Sequence, residues 1–152
     1  MITAHVESFV ANIEELKEVV PLHYEELAMN KDKVPLSPRW DCYARSEEAG
    51  ELLFVALRDG GRLAGYFIGF VATGLHYSTC LTCIQDIFYV KPDERGAAAG
   101  NFLFDFVESE LKRRGVQRLI TNSKNHFPAA WLFDRRGYEP IETIHSLWLG
   151  GE

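Results

Sequence analysis

A run of small residues at the start of a predicted helix is the segment of the sequence best suited to chemistry. It follows Arg95 and comprises Gly96, Ala97, Ala98, Ala99 and Gly100. The N-terminus of a helix presents unpaired amide donors and a partial positive charge, and both attract phosphate. The small side chains would let a pyrophosphate approach those amides, and Arg95 could add a charge-assisted contact. The same residues would also suit a plain helix entry, because alanine favours helix, so spacing alone leaves both interpretations open.

Asp86 is the second candidate for chemistry. It lies in the apolar run Ile84–Val90, where a carboxylate is costly to bury without a function or a partner. The alternative is that it caps a turn or pairs with an arginine. His76 and Tyr77 lie where we expect the preceding strand to end, and a histidine titrates near neutral pH. Either of these two residues could equally be a packing residue.

Several other kinds of site are disfavoured by the sequence. The segment after Arg95 lacks the Gly-Lys-Ser/Thr of a phosphate-binding loop and the three spaced glycines of a dinucleotide fingerprint. Cys80 and Cys83 lie three apart in a predicted strand, so they face opposite sides, and no second cysteine pair completes a zinc site. We therefore expect buried thiols and no metal. A net charge of −6 argues against a nucleic-acid partner.

The elements that must position these residues follow from periodicity and turn chemistry. The predicted elements are, in chain order, a strand Ile2–Phe9, a helix from the N-cap Asn12 to Leu27 that Pro21 must kink or restart, a short helix Trp40–Ala49, strands Leu52–Arg58, Arg62–Thr73 and Cys80–Val90, a long helix Ala99–Arg114, a strand Gln117–Asn122, a helix His126–Arg136 and a final strand Tyr138–Leu149.

The order and the joins of these elements define a fold class. Asp59-Gly60-Gly61 is a hairpin signal, because glycine accepts the positive φ of a tight turn. Three successive strands with short joins form an antiparallel meander, whereas Gln117–Asn122 follows a helix and is expected to be parallel to the strand before Pro92. We predict a single domain over 1–152 of the α/β (α+β) class. Its mixed, mostly antiparallel sheet has helices on both faces, in the order β-α-α-β-β-β-α-β-α-β.

The strand, the Val-x-Pro-x-x-Arg-Gly sequence, the small residues and the long helix together resemble the acyl-CoA-binding motif of GNAT N-acetyltransferases. In that family the motif reads Arg/Gln-x-x-Gly-x-Gly/Ala. Here Arg95, Ala98 and Gly100 occupy it, so the first glycine is replaced by alanine. Phe133-Asp134-Arg135-Arg136-Gly137-Tyr138 is similar to the family's late helix and Gly-aromatic turn. The segments His23–Glu26, Leu75–Tyr77 and Gln85–Val90 resemble a compact group of the family that bacteriophages often encode.

The resemblance implies acetyl-CoA as cosubstrate and transfer of its acetyl group to a primary amine of a small molecule or a protein. Backbone groups of Phe88, Tyr89 and Val90 would pair with the pantetheine arm like an added strand. Amides from Arg95 to Gly100 would hold the pyrophosphate, and Asn125 is a further cofactor candidate.

Asp86 is the leading candidate for the base, because acetyl transfer needs a neutral amine and a carboxylate can accept the proton. Tyr77 and His76 are the other catalytic candidates. Many family members carry a tyrosine, as the acid for the thiolate, where this chain has Phe133. A thiolate also leaves without strong acid assistance, since thiol pKa values lie near 8–9. The alternative function is therefore a catalytically weak acyl-CoA-binding or interaction module that regulates a partner protein.

Cellular setting and partners are less strongly indicated by the sequence. No apolar run is long enough to span a bilayer, and residues Met1–Glu18 lack the pattern of a signal peptide. We expect a soluble cytoplasmic protein with no membrane partner, in the host cytoplasm if a phage encodes it. The region Asn30–Gly50, with Trp40 and Tyr43, is expected either to shape the choice of acceptor or to form a homodimer contact.

Overall fold

The computed structural model describes residues 1–96 and 98–151, which form one sheet and four α-helices. The elements are β1 Ile2–Val6, α1 Ile13–Leu27, α2 Trp40–Glu48, β2 Leu52–Asp59, β3 Arg62–Gly74, β4 Tyr77–Val90, α3 Ala99–Arg113, β5 Arg118–Ile120 and α4 Ala130–Arg135. The sheet order is β1-β2-β3-β4-β5, with all neighbours antiparallel except β4 and β5, which are parallel. The predicted mixed, mostly antiparallel α+β fold class is confirmed.

Helices cover both faces of this sheet, as predicted, and strand β2 shows why. Its side chains alternate, because successive residues of a strand point to opposite faces. Leu53, Val55 and Leu57 pack with α3 and α4 on what we call the α3 face. Leu52, Phe54 and Ala56 pack with α1 and α2 on the α1 face. Strand β2 is therefore buried on both sides, which explains why its sequence is a continuous apolar run.

Helix α3 carries one apolar stripe, which differs in detail from the predicted one. Helical spacing in the sequence predicts an apolar stripe that omits Phe104 and consists of Ala99, Phe102, Leu103, Phe106, Val107 and Leu111. Phe104 is fully buried, whereas Phe102 is 40% exposed. The helix ends as predicted at Gly115, whose φ is +79°. The amide of Val116 donates to the carbonyl of Leu111 at 3.0 Å, which is the hydrogen bond of a Schellman cap.

Three predictions about local structure need correction. Of the predicted kink or restart at Pro21, the restart does not occur, because helix α1 continues through this residue, although proline removes one amide donor. The late helix begins at Ala130 instead of His126, because Pro128 disfavours helical geometry in the residue before it. The final strand predicted over Tyr138–Leu149 is not formed. Strand β5 has only three residues and so offers a short edge for further pairing.

Candidate active site

Asp86 occupies a β-bulge in the middle of β4. Gly69 and Ile68 of β3 pair with Gln85 and Ile87, so Asp86 has no cross-strand partner in the register. The bulge also changes which side chains face which helices. Cys83 and Phe88 lie five residues apart, which would put them on opposite faces of a regular strand, yet both pack on the α3 face. Bulges of this kind commonly re-aim a side chain next to an active site.

The bulge brings Asp86 to helix α2. The hydroxyl of Tyr43 donates a hydrogen bond to Oδ2 of Asp86 at 2.5 Å. Burial raises the pKa of Asp86 above its ordinary value, and the hydrogen bond from Tyr43 offsets part of that increase. Burial, and then the neighbouring carboxylate, raise the pKa of Tyr43, so its phenol stays protonated and remains a donor. Asp86 is thus a stronger base than an exposed aspartate, held in one orientation.

The outer edge of β4 opens just before the bulge. Strand β5 pairs with β4 only from Thr82 to Ile84. Beyond Ile84, residues 85–90 have no strand neighbour on that side within the described part of the chain. This open edge includes the three predicted backbone ligands of the cofactor, Phe88, Tyr89 and Val90. The carbonyl of Val90 already accepts a hydrogen bond from Nε of Arg95 at 2.7 Å.

Gln85 adds an unsatisfied polar group at the same place. Its Nε2 donates to Oδ1 of Asn122 at 3.3 Å, which connects β4 to the segment after β5. Its Oε1 is buried and has no hydrogen-bond partner among the described residues. Such an atom costs free energy unless a donor reaches it. A bound molecule with an N–H or O–H group at the open edge would satisfy it. No local pattern in the segment Gln85–Val90 had indicated a role for Gln85.

The small-residue loop enters α3 as predicted, with Ala97 outside the described residues. Helix α3 begins at Ala99, and its first turn has neither an acidic residue nor a side-chain cap. The positive end of the helix is therefore not neutralised by the chain's own side chains there. A methyl group added at Gly96 would meet nothing within 4 Å, whereas one at Gly100 would lie 3.3 Å from Leu132. Gly100 thus allows α4 to pack closely, and Gly96 leaves the loop open.

Arg95 is engaged in contacts that the sequence analysis did not predict. Its guanidinium forms an ion pair with Glu26 of α1. It also lies 5.4 Å from the ring centroids of Tyr89 and Phe127. The Arg95 hydrogen bond is the largest of the influences that lower the pKa of Glu26. Arg95 therefore fastens the loop to α1, and a phosphate contact would compete with Glu26 for its charge.

His23 forms part of a polar cluster on the α1 face. Its Nδ1 lies 2.7 Å from the hydroxyl of Tyr66, and its ring stacks on Tyr89 at 4.6 Å. The hydroxyl of Tyr89 donates to Glu26 at 3.1 Å. Burial lowers the pKa of His23 to about 4, so the imidazole is neutral near pH 7. This arrangement orders the end of α1 against β4.

The other candidate residues lie away from Asp86. Tyr77 is the first residue of β4, nine positions before Asp86, which is about 30 Å along an extended strand. His76 precedes it in the exposed hairpin turn. The expectation that these two residues lie near the site is thus corrected. Asn125 is an exposed residue in the turn between the bridged residues Lys124 and Phe127, and Phe127 contacts Arg95 through its ring.

Phe133 belongs to the core and not to the chemistry. It is buried on the α3 face, with its ring 5.2 Å from Phe104 and 6.0 Å from Phe88 in edge-to-face arrangements. These packing contacts explain why position 133 holds an aromatic residue, although phenylalanine has no proton to donate.

A pocket of about 300 Å³ lies on the α1 face beside the bulge. Residues 34–38, which connect α1 to α2, line the pocket, and so do Tyr43 and Ile87. The pocket includes residues of the region Asn30–Gly50, for which a role in acceptor choice or in a homodimer contact stays a prediction. The local sequence does not place this region against β4, because no local pattern encodes a contact between residues 43 positions apart.

The described residues contain no group of three or more His, Cys, Asp or Glu side chains that could hold a metal ion. Among the same residues, no helix is long and apolar enough to cross a membrane.

The fold of the described chain is similar to that of solved acetyltransferase structures. An aminoglycoside acetyltransferase, HMB0005, from an uncultured soil metagenomic sample has a TM-score of 0.77 at 14% identity, covering 99% of both chains. Ribosomal-protein-alanine N-acetyltransferase from Brucella melitensis biovar Abortus 2308 has a TM-score of 0.72 at 14% identity, covering 99% of this chain and 100% of that one. A predicted acetyltransferase from Clostridium acetobutylicum, solved with acetyl-CoA, has a TM-score of 0.72 at 12% identity, covering 98% and 97%.

The sequence itself settles the family. The model of the acetyltransferase (GNAT) family matches residues 16–138, so the chain belongs to that family. The predicted enzyme class, an N-acetyltransferase, is thereby confirmed, and this family uses acetyl-CoA. No curated protein matches the sequence. At such low identities the solved structures show the fold alone.

Proposed function

We propose that this protein transfers the acetyl group of acetyl-CoA to a primary amine, with Asp86 as the base. The observation that carries the proposal is the placement of Asp86. It lies at a bulge beside the open edge of β4, with Tyr43 holding its carboxylate. Burial of the Asp86 carboxylate costs free energy, so packing alone does not explain an aspartate at this position.

The residues present fit acetyl-CoA. Backbone groups of Phe88, Tyr89 and Val90 would pair with the pantetheine arm, and the orphaned Oε1 of Gln85 could accept from an amide of that arm. The amides from Arg95 to Gly100, Ala97 included, would hold the pyrophosphate at the N-terminus of α3. Asn125 would contribute from the neighbouring turn. Acetyl-CoA supplies the acetyl group as a thioester.

The chain's own residues would then move one proton and exclude water. The acceptor reacts as the neutral amine, and Asp86 accepts the proton that its nitrogen loses as it attacks, directly or through one water, and then returns that proton to solvent. The amine nitrogen forms a bond to the acetyl carbon, the carbon–sulfur bond breaks, and the sulfur leaves as a thiolate that takes a proton from solvent. No acid is required of Phe133, since a thiolate with a pKa near 8–9 is a good leaving group.

The test is Asp86→Asn, which keeps the shape and removes the base. We expect kcat to fall by about 10²–10⁴-fold, the usual range for general base catalysis, while the KM for acetyl-CoA stays unchanged. Release of the CoA thiol with a panel of primary amines measures both quantities. Asp41→Asn makes the same change on the exposed surface of α2 and should leave kcat unaltered. An Asp86→Asn enzyme with the original kcat would remove Asp86 as the base.

The second candidate function is a catalytically weak acyl-CoA-binding module, and Phe133 is the observation that favours it. Acetyl-CoA would then stabilise the protein against heat without any transfer to an amine. Measuring thermal stabilisation by acetyl-CoA and acetyl transfer to amines on one preparation distinguishes the binding module from the enzyme. We further propose that the protein acts in the cytoplasm, in line with its three free thiols, and that it belongs to the compact phage-encoded group that its sequence resembles.

A further inference from the structure

The pocket on the α1 face is continuous with the proposed base. Ile87, which follows Asp86 directly, lines the pocket, and so does Tyr43, whose hydroxyl donates to Asp86. An amine at this part of the pocket would therefore lie beside the carboxylate. The rest of the same molecule would extend towards residues 34–38.

The walls of the pocket are apolar. No residue that lines it in the described chain carries a formal charge. The apolar side chains that line the pocket include Leu16, Val20, Leu36, Trp40, Ile68 and Ile87. Both tyrosine hydroxyls at the pocket are already used. Tyr43 donates to Asp86, and Tyr24 donates to the carbonyl of Val34 at 2.6 Å. Tyr24 thus also fixes the pocket wall at Val34 to α1, so the pocket is formed before a ligand binds.

The charges around the entrance are mainly positive. Between residues 30 and 39 the chain carries three basic residues, Lys31, Lys33 and Arg39, and one acidic residue, Asp32, a net charge of +2. Arg39 lines an adjoining pocket of about 350 Å³. Lys31 is paired with Glu25 at 3.6 Å, so a second ammonium group on the acceptor would be opposed by Lys33 and Arg39. No carboxylate from the described part of the chain lines the pocket. Sugar hydroxyls would lose hydrogen bonds to water and would meet mainly apolar side chains, with the hydroxyl of Ser37 as the one lining serine among the described residues.

We propose that the acceptor is a monoamine whose primary amine is joined to an apolar group about the size of one aromatic ring or a branched alkyl chain. The proposal rests on the proposed function and names its substrate class. The pocket is at the small end of the range of about 300–1,000 Å³ for ligand sites, so it suits one such group. The apolar group occupies the pocket and the amine lies at Asp86.

The test compares amines of different chemistry at equal acetyl-CoA concentration. We expect kcat/KM for β-phenylethylamine and isoamylamine to exceed that for ethanolamine, spermidine and glucosamine 6-phosphate by at least tenfold. Each buried methylene group contributes about fourfold to binding, so a ring provides more than enough for this margin. Equal or better transfer to spermidine or to the amino sugar would overturn the proposal and leave acetyl transfer itself in place.

A pair of matched variants locates the effect in the pocket. Leu36 is 37% exposed at the pocket wall and Leu22 is 54% exposed on α1 outside it, so both positions tolerate aspartate. Leu36→Asp should remove most of the preference for β-phenylethylamine, and Leu22→Asp should keep it. Leu36→Ala, which adds no charge, should weaken the preference less. Equal preference in Leu36→Asp and Leu22→Asp would overturn the assignment of the pocket.

Calorimetric titration of β-phenylethylamine in the presence of CoA separates this proposal from the proposed function. Binding that Leu36→Asp abolishes, without transfer to any amine, would support the pocket assignment and overturn acetyl transfer. Absence of binding to the wild-type protein would overturn the pocket assignment.

Discussion

The two faces of the sheet are built from different chemistry. On the α3 face, Phe104 meets Phe67, Phe88 and Phe133 in edge-to-face contacts with ring centroids 5.1–5.8 Å apart. These rings carry no polar atom. The α1 face also buries Phe9 and Phe54, but it adds three tyrosines, Tyr43, Tyr66 and Tyr89, and the hydroxyl of each has a polar partner. The comparison indicates that the α3 face stabilises the fold while the α1 face holds and orients reactive groups.

The difference has an energetic basis. A buried phenylalanine contributes its full apolar area, and edge-to-face pairs add about 0.5–1.5 kcal/mol each. A buried tyrosine needs a hydrogen-bond partner, and the partner must itself be desolvated. The α1 face therefore carries polar groups at some cost in stability. Burial disfavours the charged form of Asp86, and the raised pKa of this residue reflects that cost. If the α3 face provides stability and the α1 face provides chemistry, substitutions on the two faces should have different effects.

The largest effect is expected from Phe104→Ala on the α3 face. Phe104 is fully buried, and removal of such a ring costs about 3–5 kcal/mol of the free energy of unfolding. Urea denaturation measures the loss. Because the change lies on the face away from Asp86, the folded fraction of the variant should keep the wild-type KM for its amine.

Phe102→Ala is the matched control, since it makes the same change on the same helix. Phe102 is 40% exposed, so its loss should cost less than about 1 kcal/mol. The pair also tests the corrected stripe of α3, in which Phe104 and not Phe102 faces the core. Equal losses in the two variants would contradict the packing of α3 described above.

The sequence allowed most of the fold to be predicted, because the signals were local. The glycine turn after β2, the amphipathic helix α3 and the small-residue loop before it each depend on neighbouring residues. The stripe of α3 was misjudged at Phe104 because four adjacent positions, from Phe102 to Asp105, include three candidates for one face. The prediction of the final strand was wrong, and a local pattern does not reveal whether a neighbouring strand offers an edge for pairing.

The candidate site was predictable only in part, for the same reason. Asp86 was identifiable because a carboxylate in an apolar strand is unusual. The bulge that turns it depends on the register between β3 and β4, and its partner Tyr43 comes from another element. A phosphate contact of Arg95 was predicted from the sequence and stays a prediction, whereas its ion pair with Glu26 joins residues 69 positions apart and leaves no local pattern in the sequence.

An intermediate effect is expected from Arg95→Ala, which disconnects the loop before α3 from the α1 face. Glu26 would lose its ion pair while half-buried, and we expect the free energy of unfolding to fall by about 1–3 kcal/mol without any ligand. The pKa of Glu26 is lowered in the folded protein, mainly by the hydrogen bond from Arg95. The stabilisation from this pair is therefore present above the unfolded pKa of Glu26 and is lost as the pH falls through its folded pKa.

Urea denaturation at pH 7 and in acid distinguishes anchoring from phosphate binding. Wild type should lose more stability on acidification than Arg95→Ala, because the variant has already lost the pair. Arg113→Ala, which removes an exposed guanidinium from its ion pair with Glu110, should cost less stability than Arg95→Ala, because solvent screens the charge of Arg113. If Arg95→Ala changed only the affinity for CoA and left the ligand-free protein equally stable, Arg95 would be a phosphate ligand and not an anchor.

The smallest effect is expected from Tyr43→Phe, which removes one hydroxyl from the α1 face. The hydrogen bond from Tyr43 lowers the pKa of Asp86, so its loss should raise that pKa further. A base is active when deprotonated, and kcat/KM therefore falls as the pH drops through its pKa. The acid limb of the profile should move to higher pH in Tyr43→Phe, and the plateau at high pH should change by less than about tenfold, the size of one hydrogen bond. Tyr24→Phe removes the other hydroxyl of the same pocket and should leave the acid limb in place, because Tyr24 donates to a backbone carbonyl. An acid limb that moved equally in both variants would assign it to the pocket as a whole and not to Asp86.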